Sequence, residues 1–433
     1  MTTPAKPEAR HRSVSILRDP AFGRLWFVQA ATQVGGNMAL YALTVLVFST
    51  TRSNAAVSAL VMSFLLPTIA LSAVAGVVVD RLNLRWALVG PNIARTIMTL
   101  GLAFAGANVP VLLLLNLGIS FTTVMLTPAE AAMIPRIVSR GQLETAMGVF
   151  NLTLQASFAV GFAFLGPLLV TLAGPSTVLG IVTVLYFAAT IACLGLPSAP
   201  PVAVAPGVAS RALHEPIRQL HEGFAAIKGN REVSRPLLHL AASASLVGVL
   251  GVLGPALAVS VGLEPDRLVV VVLPLGLGVV AGVLGLRRFG QGVPRRRSAE
   301  GGLVGFGLLA VGVSLVGPLL GGAAEAAPGG QGVTEPAFLA IAIVVLLAFC
   351  AGAAYAATTV SAQTALFEHM PEQARGRIFG VLASIVSAAS LLPTLIAGPL
   401  ADATSVSLVL AIVATAVVVT GVASARLFGP TGS

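Results

Sequence analysis

Charge is what this chain lacks most: only 9% of its 433 residues are charged, while 56% are hydrophobic. Soluble domains carry about 25% charged and about 45–50% apolar residues, so a soluble surface cannot be covered from this composition. Cysteine is scarce too, with Cys193 and Cys350 the two present. Both stand in apolar runs without metal-ligand spacing and read as packing residues. No HExxH motif and no Gly-Lys-Ser phosphate loop occurs, and the five histidines (His11, His214, His221, His239, His369) are scattered. ATP-driven transport and membrane proteolysis therefore lack their chemistry, and the chain is expected to be no enzyme and to hold no cofactor or metal. Gly276-x-Gly278-x-x-Ala281 formally matches a dinucleotide fingerprint. Its setting is an apolar run between Arg267 and Arg287, so these glycines, with Gly282, read as close helix packing.

What is present is a series of apolar runs, each near the length of about 20 residues that a helix needs to cross a bilayer. They fall near 26–50, 55–79, 86–106, 109–130, 145–172 and 176–196, then 237–262, 268–286, 301–321, 337–361, 378–401 and 405–425. The prediction is an all-α integral membrane protein of twelve spans, numbered 1 to 12. Residues 1–20 are polar and basic without an apolar core, so span 1 is expected to serve as an uncleaved signal. Of the 25 Lys and Arg, 22 lie on alternate connecting pieces, Arg52 and Arg267 lie on the others, and Arg95 lies inside span 3. That asymmetry places both termini in the cytoplasm and the basic pieces against anionic lipid headgroups. The run PRRRSAE at 294–300 is then a topology anchor, and no nucleic-acid partner is expected. Arg outnumbers Lys 23 to 2, which with abundant Ala, Val and Gly fits a GC-rich bacterial genome and an inner membrane.

The longest polar piece, 197–236, divides the chain into segments 1–196 and 237–433. Within it Leu213, Ile217, Leu220, Phe224 and Ile227 recur at helical steps, which predicts an amphipathic helix lying on the inner leaflet. The two segments share a pattern. Gly148-Val149 precedes Gly166-Pro167-Leu168 at the same spacing as Gly380-Val381 precedes Gly398-Pro399-Leu400, which favours a parallel repeat of two six-helix bundles.

Between spans 2 and 3 stand Gly76, Asp80, Arg81 and Arg85, in the pattern Gly-x3-Asp-Arg-x3-Arg. With the 6+6 layout and the long central piece, this resembles the major facilitator superfamily. FGRLWFVQAATQVGG, QARGRIFGVL and AGPLAD resemble its drug and siderophore exporters, which implies proton antiport, a small-molecule substrate and a monomer. The resemblance also implies that the Asp80 carboxylate meets the start of span 11, where Arg375 and Arg377 are added partners, as a cytoplasmic latch. A solvated elbow would explain the arginines but not an acid at the boundary. The chain departs locally from the family pattern. Asn83 and Leu84 replace a Gly and a basic residue, Asn37 follows Gly36 where relatives carry an acid, and Gly161 precedes Gly166 by five residues rather than four.

Polar residues inside apolar spans are costly unless they find a partner, water or ligand. Gln29, Gln33 and Asn37 of span 1 share a face, as do Asn116, Ser120, Thr123, Thr127 and Glu130 of span 4 and Tyr355, Thr359 and Gln363 of span 10. The resemblance implies that spans 1, 4, 7 and 10 line the substrate cavity. Bonding between helices is the competing reading. Amides, hydroxyls and one carboxylate suit an amphipathic neutral or cationic molecule. Arg95 lies about 14 Å into span 3, at 1.5 Å per residue, and Glu130 is the nearest acid by depth. The two are expected to form a separable pair that couples transport to protons, unless Arg95 is a structural pin bonded to carbonyls. An exporter is the leading reading, with uptake or flipping of a lipid-like substrate, or a non-transporting receptor or scaffold, as rivals.

Overall fold

The computed structural model describes residue 16 and residues 18–200, 231–289, 294–321, 335–368 and 375–427. Every long element among them is a helix: α1 (Pro20–Thr51), α2 (Asn54–Asp80), α3 (Leu84–Phe104), α4 (Val109–Ile137) and α6 (Pro175–Leu194). Then come α7 (Arg231–Ser260), α8 (Val269–Phe289), α9 (Arg295–Val316), α10 (Glu335–Glu368), α11 (Arg375–Ala403) and α12 (Val406–Leu427). Between α4 and α6 runs α5, built from Leu143–Phe158, a π-helical stretch Ala159–Leu165, and Gly166–Ala173. The chain is a multi-pass integral membrane protein. Among the described residues ten helices are long and apolar enough to span, and Asn54–Thr68 and Ala388–Ala403 are shorter apolar stretches inside α2 and α11. The amphipathic helix expected within 197–236 lies outside the described residues.

Local chemistry sets the helix starts. Asp19 Oδ1 accepts from Ala21 N at 2.8 Å and Phe22 N at 3.1 Å, which satisfies the first free donors of α1. Asn108 Oδ1 does the same for α4 through Val111 N. The turn between α5 and α6 requires a left-handed residue, supplied by Gly174 at φ 82°.

Side-chain distribution inverts the soluble pattern. On α3, Asn92, Arg95 and Thr99 are buried while Ile97 and Phe104 are exposed, Phe104 at 83%. In a lipid solvent this is the low-energy arrangement, because the hydrocarbon takes the apolar face and the protein interior takes the polar one.

The chain packs as two compact units, Met1–Leu43 with Ser63–Pro216 and Thr44–Met62 with Ile217–Ser433. The first unit has a continuous apolar core in which Phe22, Leu25 and Val28 of α1 meet Leu88 of α3, Met133 of α4 and Phe150 of α5. In the second unit, α8 and α10 approach to backbone distance. A Cβ at Gly282 would stand 2.7 Å from Ala353 O, and one at Gly278 would collide with Phe349 O. These are the glycines whose spacing mimics a nucleotide-binding turn, and their work here is packing.

Candidate functional site

The three polar faces are built differently from one another. On α1, Gln29 is buried and its Nε2 donates to Phe150 O of α5 at 3.2 Å. Asn37 donates to Gln33 O within its own helix at 2.9 Å, and Gln33 is half-buried. On α4, Ser120 donates to Asn116 O and Thr123 to Ile119 O, whereas Asn116 Nδ2 crosses to Ser63 Oγ of α2 at 2.8 Å. Thr127 is exposed. On α10, Thr359 donates to Tyr355 O, Tyr355 packs its ring on Phe306 at 5.5 Å, and Gln363 is half-buried. Hydroxyls that bond four residues back cost no partner helix and leave their outer lone pairs for solvent or ligand.

Among the described residues Arg95 is the least exposed of the Lys, Arg, Asp and Glu side chains, at 4%. Its Nη2 donates to Tyr186 Oη at 2.6 Å and to Thr32 O at 3.4 Å, and its Cζ lies 4.0 Å above the Tyr186 ring. Stacking on an aromatic face with donation to neutral oxygens lets a guanidinium survive without an acid. Gly35 makes the room for this, and Gly36 lines it at ordinary contact distance. A Cβ at Gly35 would stand 3.1 Å from Tyr186 Cε1, and one at Gly36 would lie 3.4 Å from Tyr186 Oη and 3.7 Å from Arg95 Nη2.

Glu130 is 5% exposed and makes no ion pair with Arg95 within 4.0 Å among the described residues. The two are near enough for their charges to interact, so the expected pair is a neighbourhood and not a contact. Around Arg95 the protein leaves several buried polar atoms without a protein partner: Arg95 Nε, Asn92 Oδ1, Thr99 Oγ1 and, on α1, Gln29 Oε1. Such atoms each cost about 1–3 kcal/mol, a burden carried where a site must accept a proton, water or ligand.

At the charged elbow, Asp80 and Arg81 are exposed and Arg85 and Gly76 are half-buried. The α11 side chains at Arg375 and Arg377 lie outside the described residues, so the cytoplasmic latch remains an expectation. Asn83, one of the departures, has a local role. Its Oδ1 accepts from Arg85 N at 3.1 Å to cap α3, and its Nδ2 donates to Ser198 Oγ at 2.7 Å. Leu84 N adds a bond to Ala199 O, so the elbow is tied to the chain that leaves α6.

The five-residue glycine spacing in α5 also has a structural basis. Gly166 N donates to Gly161 O, five residues back, within the π-helical stretch. One extra residue per turn thereby brings both glycines to α1, Gly161 against Val34 O and Asn37 Cβ and Gly166 against Tyr41.

Sequence reasoning missed Tyr186, one of three tyrosines in the chain, because it stands alone in an apolar span and joins no polar stripe. It also missed the polar residues of α7. His239 Nε2 is 2.9 Å from Ser424 Oγ, and Ser245 Oγ donates to Ala389 O of α11 at 3.1 Å.

A family model described as the Major Facilitator Superfamily matches residues 25–343. No curated protein matches. The fold is similar to the solved nucleoside transporter NupG, with TM-score 0.68, 16% identity, and 94% of this chain and 99% of that one covered. It is also similar to a peptide transporter POT variant in complex with sulfate, with TM-score 0.65, 15% identity and 98% of each chain covered. The POT family transporter PepTSo aligns with TM-score 0.63 and 14% identity over 93% of this chain and 97% of that one.

Proposed function

Because this chain belongs to the Major Facilitator Superfamily, we propose that it is a secondary transporter that exports a small amphipathic molecule in exchange for protons. That it is a membrane transporter of this type follows from the family. Direction, substrate and coupling are the proposal. The solved relatives carry nucleosides and peptides by their descriptions, but at 14–16% identity they inform the fold, so substrate chemistry is argued from this chain's own residues.

The observation that carries the proposal is Glu130. A carboxylate 5% exposed, with no hydrogen bond or ion pair among the described residues, is costly as an anion in a bilayer. It is stabilised when it takes a proton or meets a cation, and those two occupants exclude one another. Proton entry from one side and cation entry from the other give antiport with a single group. The neighbouring Arg95, held by Tyr186 and Thr32, sets the local potential without neutralising Glu130 through contact. The amides and hydroxyls of Gln33, Thr127, Thr359 and Gln363 would receive the polar part of the cargo. Asp80, Arg81, Arg85, Arg375 and Arg377 would close the cytoplasmic side while the site faces outward. Protein, substrate and lipid in the inner membrane of a bacterium suffice, with the chain working as a monomer.

Accumulation of a cationic dye such as ethidium, compared in cells with and without the protein and repeated with a protonophore, tests this. Lower accumulation that the protonophore abolishes is the expected result, and accumulation independent of the gradient rejects antiport.

One observation favours a lipid-like substrate as a second reading. An apolar recess of about 510 Å³ lies within the first unit, lined by Val78 of α2, Gly90, Pro91 and Ala94 of α3, and Phe121 and Met125 of α4. Its volume suits one acyl chain. Movement of a fluorescent phospholipid between leaflets of protein-containing vesicles, unaffected by Glu130→Gln, would favour that reading over antiport.

A further inference from the structure

We propose that Asp402 is a gating residue, whose carboxylate closes the outer side of the transporter by holding the start of α2 on the end of α11. It rests on the family assignment and on the orientation expected from the charge asymmetry, and not on the cargo or the coupling ion.

The first turn of α2 is capped by an acid from the far end of the chain. Asp402 Oδ1 accepts from Asn54 N at 2.9 Å and Asn54 Nδ2 at 2.8 Å, while Oδ2 accepts from Ser53 Oγ at 2.7 Å and Ala55 N at 2.9 Å. Both oxygens are thus engaged twice, each by one side-chain donor and by one free backbone donor at the positive end of a helix. One turn further along α2, Ser58 Oγ donates to Thr394 O at 2.8 Å and accepts from Gly398 N at 3.2 Å. Gly398 is required there, since a Cβ would collide with Asn54 O and Ser58 Oγ. Thr394 in turn rests against Gly248 of α7, so the contact has a firm backing.

A local residue would cap α2 as well if capping were the whole purpose. Ser53 stands in the right place, and its Oγ does accept from Ala56 N at 3.2 Å. The distant acid adds something a local cap cannot. It joins α2, from the first sequence segment, to α11, from the second. The join explains why Thr44–Met62 packs with the second unit although the remainder of α1 and α2 belongs to the first. By the charge asymmetry of the connecting pieces, the loop between α1 and α2 and the end of α11 face away from the cytoplasm. An outward opening must part them. The contact is also reciprocal to the expected cytoplasmic latch: α11 ends in an acid that holds the start of α2, and α2 ends in Asp80, expected to hold the start of α11.

The test uses the full-length protein in lipid nanodiscs, in a background with Cys193→Ala and Cys350→Ala, and a maleimide as the probe. Ala397, 2% exposed beside the contact, becomes an outer reporter as Ala397→Cys, and Gln363→Cys near the inner end of α10 becomes a second. Asp402→Ala is expected to raise the outer labelling rate about tenfold, a shift of about 1.4 kcal/mol in the closed-to-open balance, and to lower the inner rate. Asp402→Asn keeps the volume but turns an amide toward donors, so it should give the same signs with smaller size and serves if the alanine variant does not fold. Unchanged outer labelling in a folded variant overturns the proposal. So does an outer rise without an inner fall, because that pattern is local fraying of α2 and not a change of access.

Discussion

Arg95 lies deep in the first unit and is held by a ring, a hydroxyl and a carbonyl. Tyr186→Phe keeps the ring beneath the guanidinium and removes the 2.6 Å bond, so it should lower stability by about 1–2 kcal/mol, read as a lower Tm. Tyr186→Ala removes ring and bond together and should cost about 3–5 kcal/mol in the same assay. Asp402 is one residue past the predicted end of its span. Burial raises its carboxyl, but the hydrogen bonds from Ala55, Ser53 and Asn54 outweigh that effect and hold it below the ordinary value. The stabilisation of a lowered carboxyl is complete above the ordinary value and is lost as pH falls through the lowered one. The ratio of Ala397→Cys labelling in Asp402→Ala to that with Asp402 present, which cancels the fall in thiolate with pH, should therefore be the same at about pH 7 and about pH 5 and approach one only in stronger acid. The depth of Arg95 was legible by counting residues from the span's edge. Its partner was not, because Tyr186 is 91 residues away and no local pattern joins them.

The helices owe their approach to glycines that the sequence displays but does not rank. Gly148 and Gly161 both lie in α5, yet a Cβ at Gly148 would meet nothing within 4 Å whereas one at Gly161 would stand 2.6 Å from Val34 O. Gly148→Ala should be neutral or stabilise by about 0.5–1 kcal/mol, through the entropy glycine loses in a helix. Gly161→Ala should cost about 1–3 kcal/mol through overpacking, and thermal unfolding of the two variants side by side measures the contrast. Apolar periodicity displayed the helices because a bilayer imposes length and composition on each span. It could not display the π-helical stretch. The five-residue interval from Gly161 to Gly166 was visible as a departure, but its meaning depends on which helix lies opposite. Asn83 is similar, since its capping half is local chemistry and its bond to Ser198 is tertiary.

For the whole molecule, composition alone excluded a soluble fold, and the Gly76–Asp80–Arg81–Arg85 pattern pointed to the family that residues 25–343 match. That Thr44–Met62 packs with the second unit was not legible, although an acid 348 residues away bonds at Asn54 within that stretch. Long-range capping of this kind leaves no trace in hydropathy. The polar faces of α1, α4 and α10 were legible as stripes. Which of their groups stay available was not, because back-bonding to the helix's own carbonyls depends on rotamers. The central claim is that Glu130 exchanges a proton for cargo, and purified protein in liposomes loaded with ethidium under an imposed pH gradient tests it most directly. The account predicts gradient-driven ethidium movement with a matching proton flux, abolished by a protonophore and lost in Glu130→Gln with Arg95 left intact. Gradient-driven movement of equal rate in Glu130→Gln would contradict it.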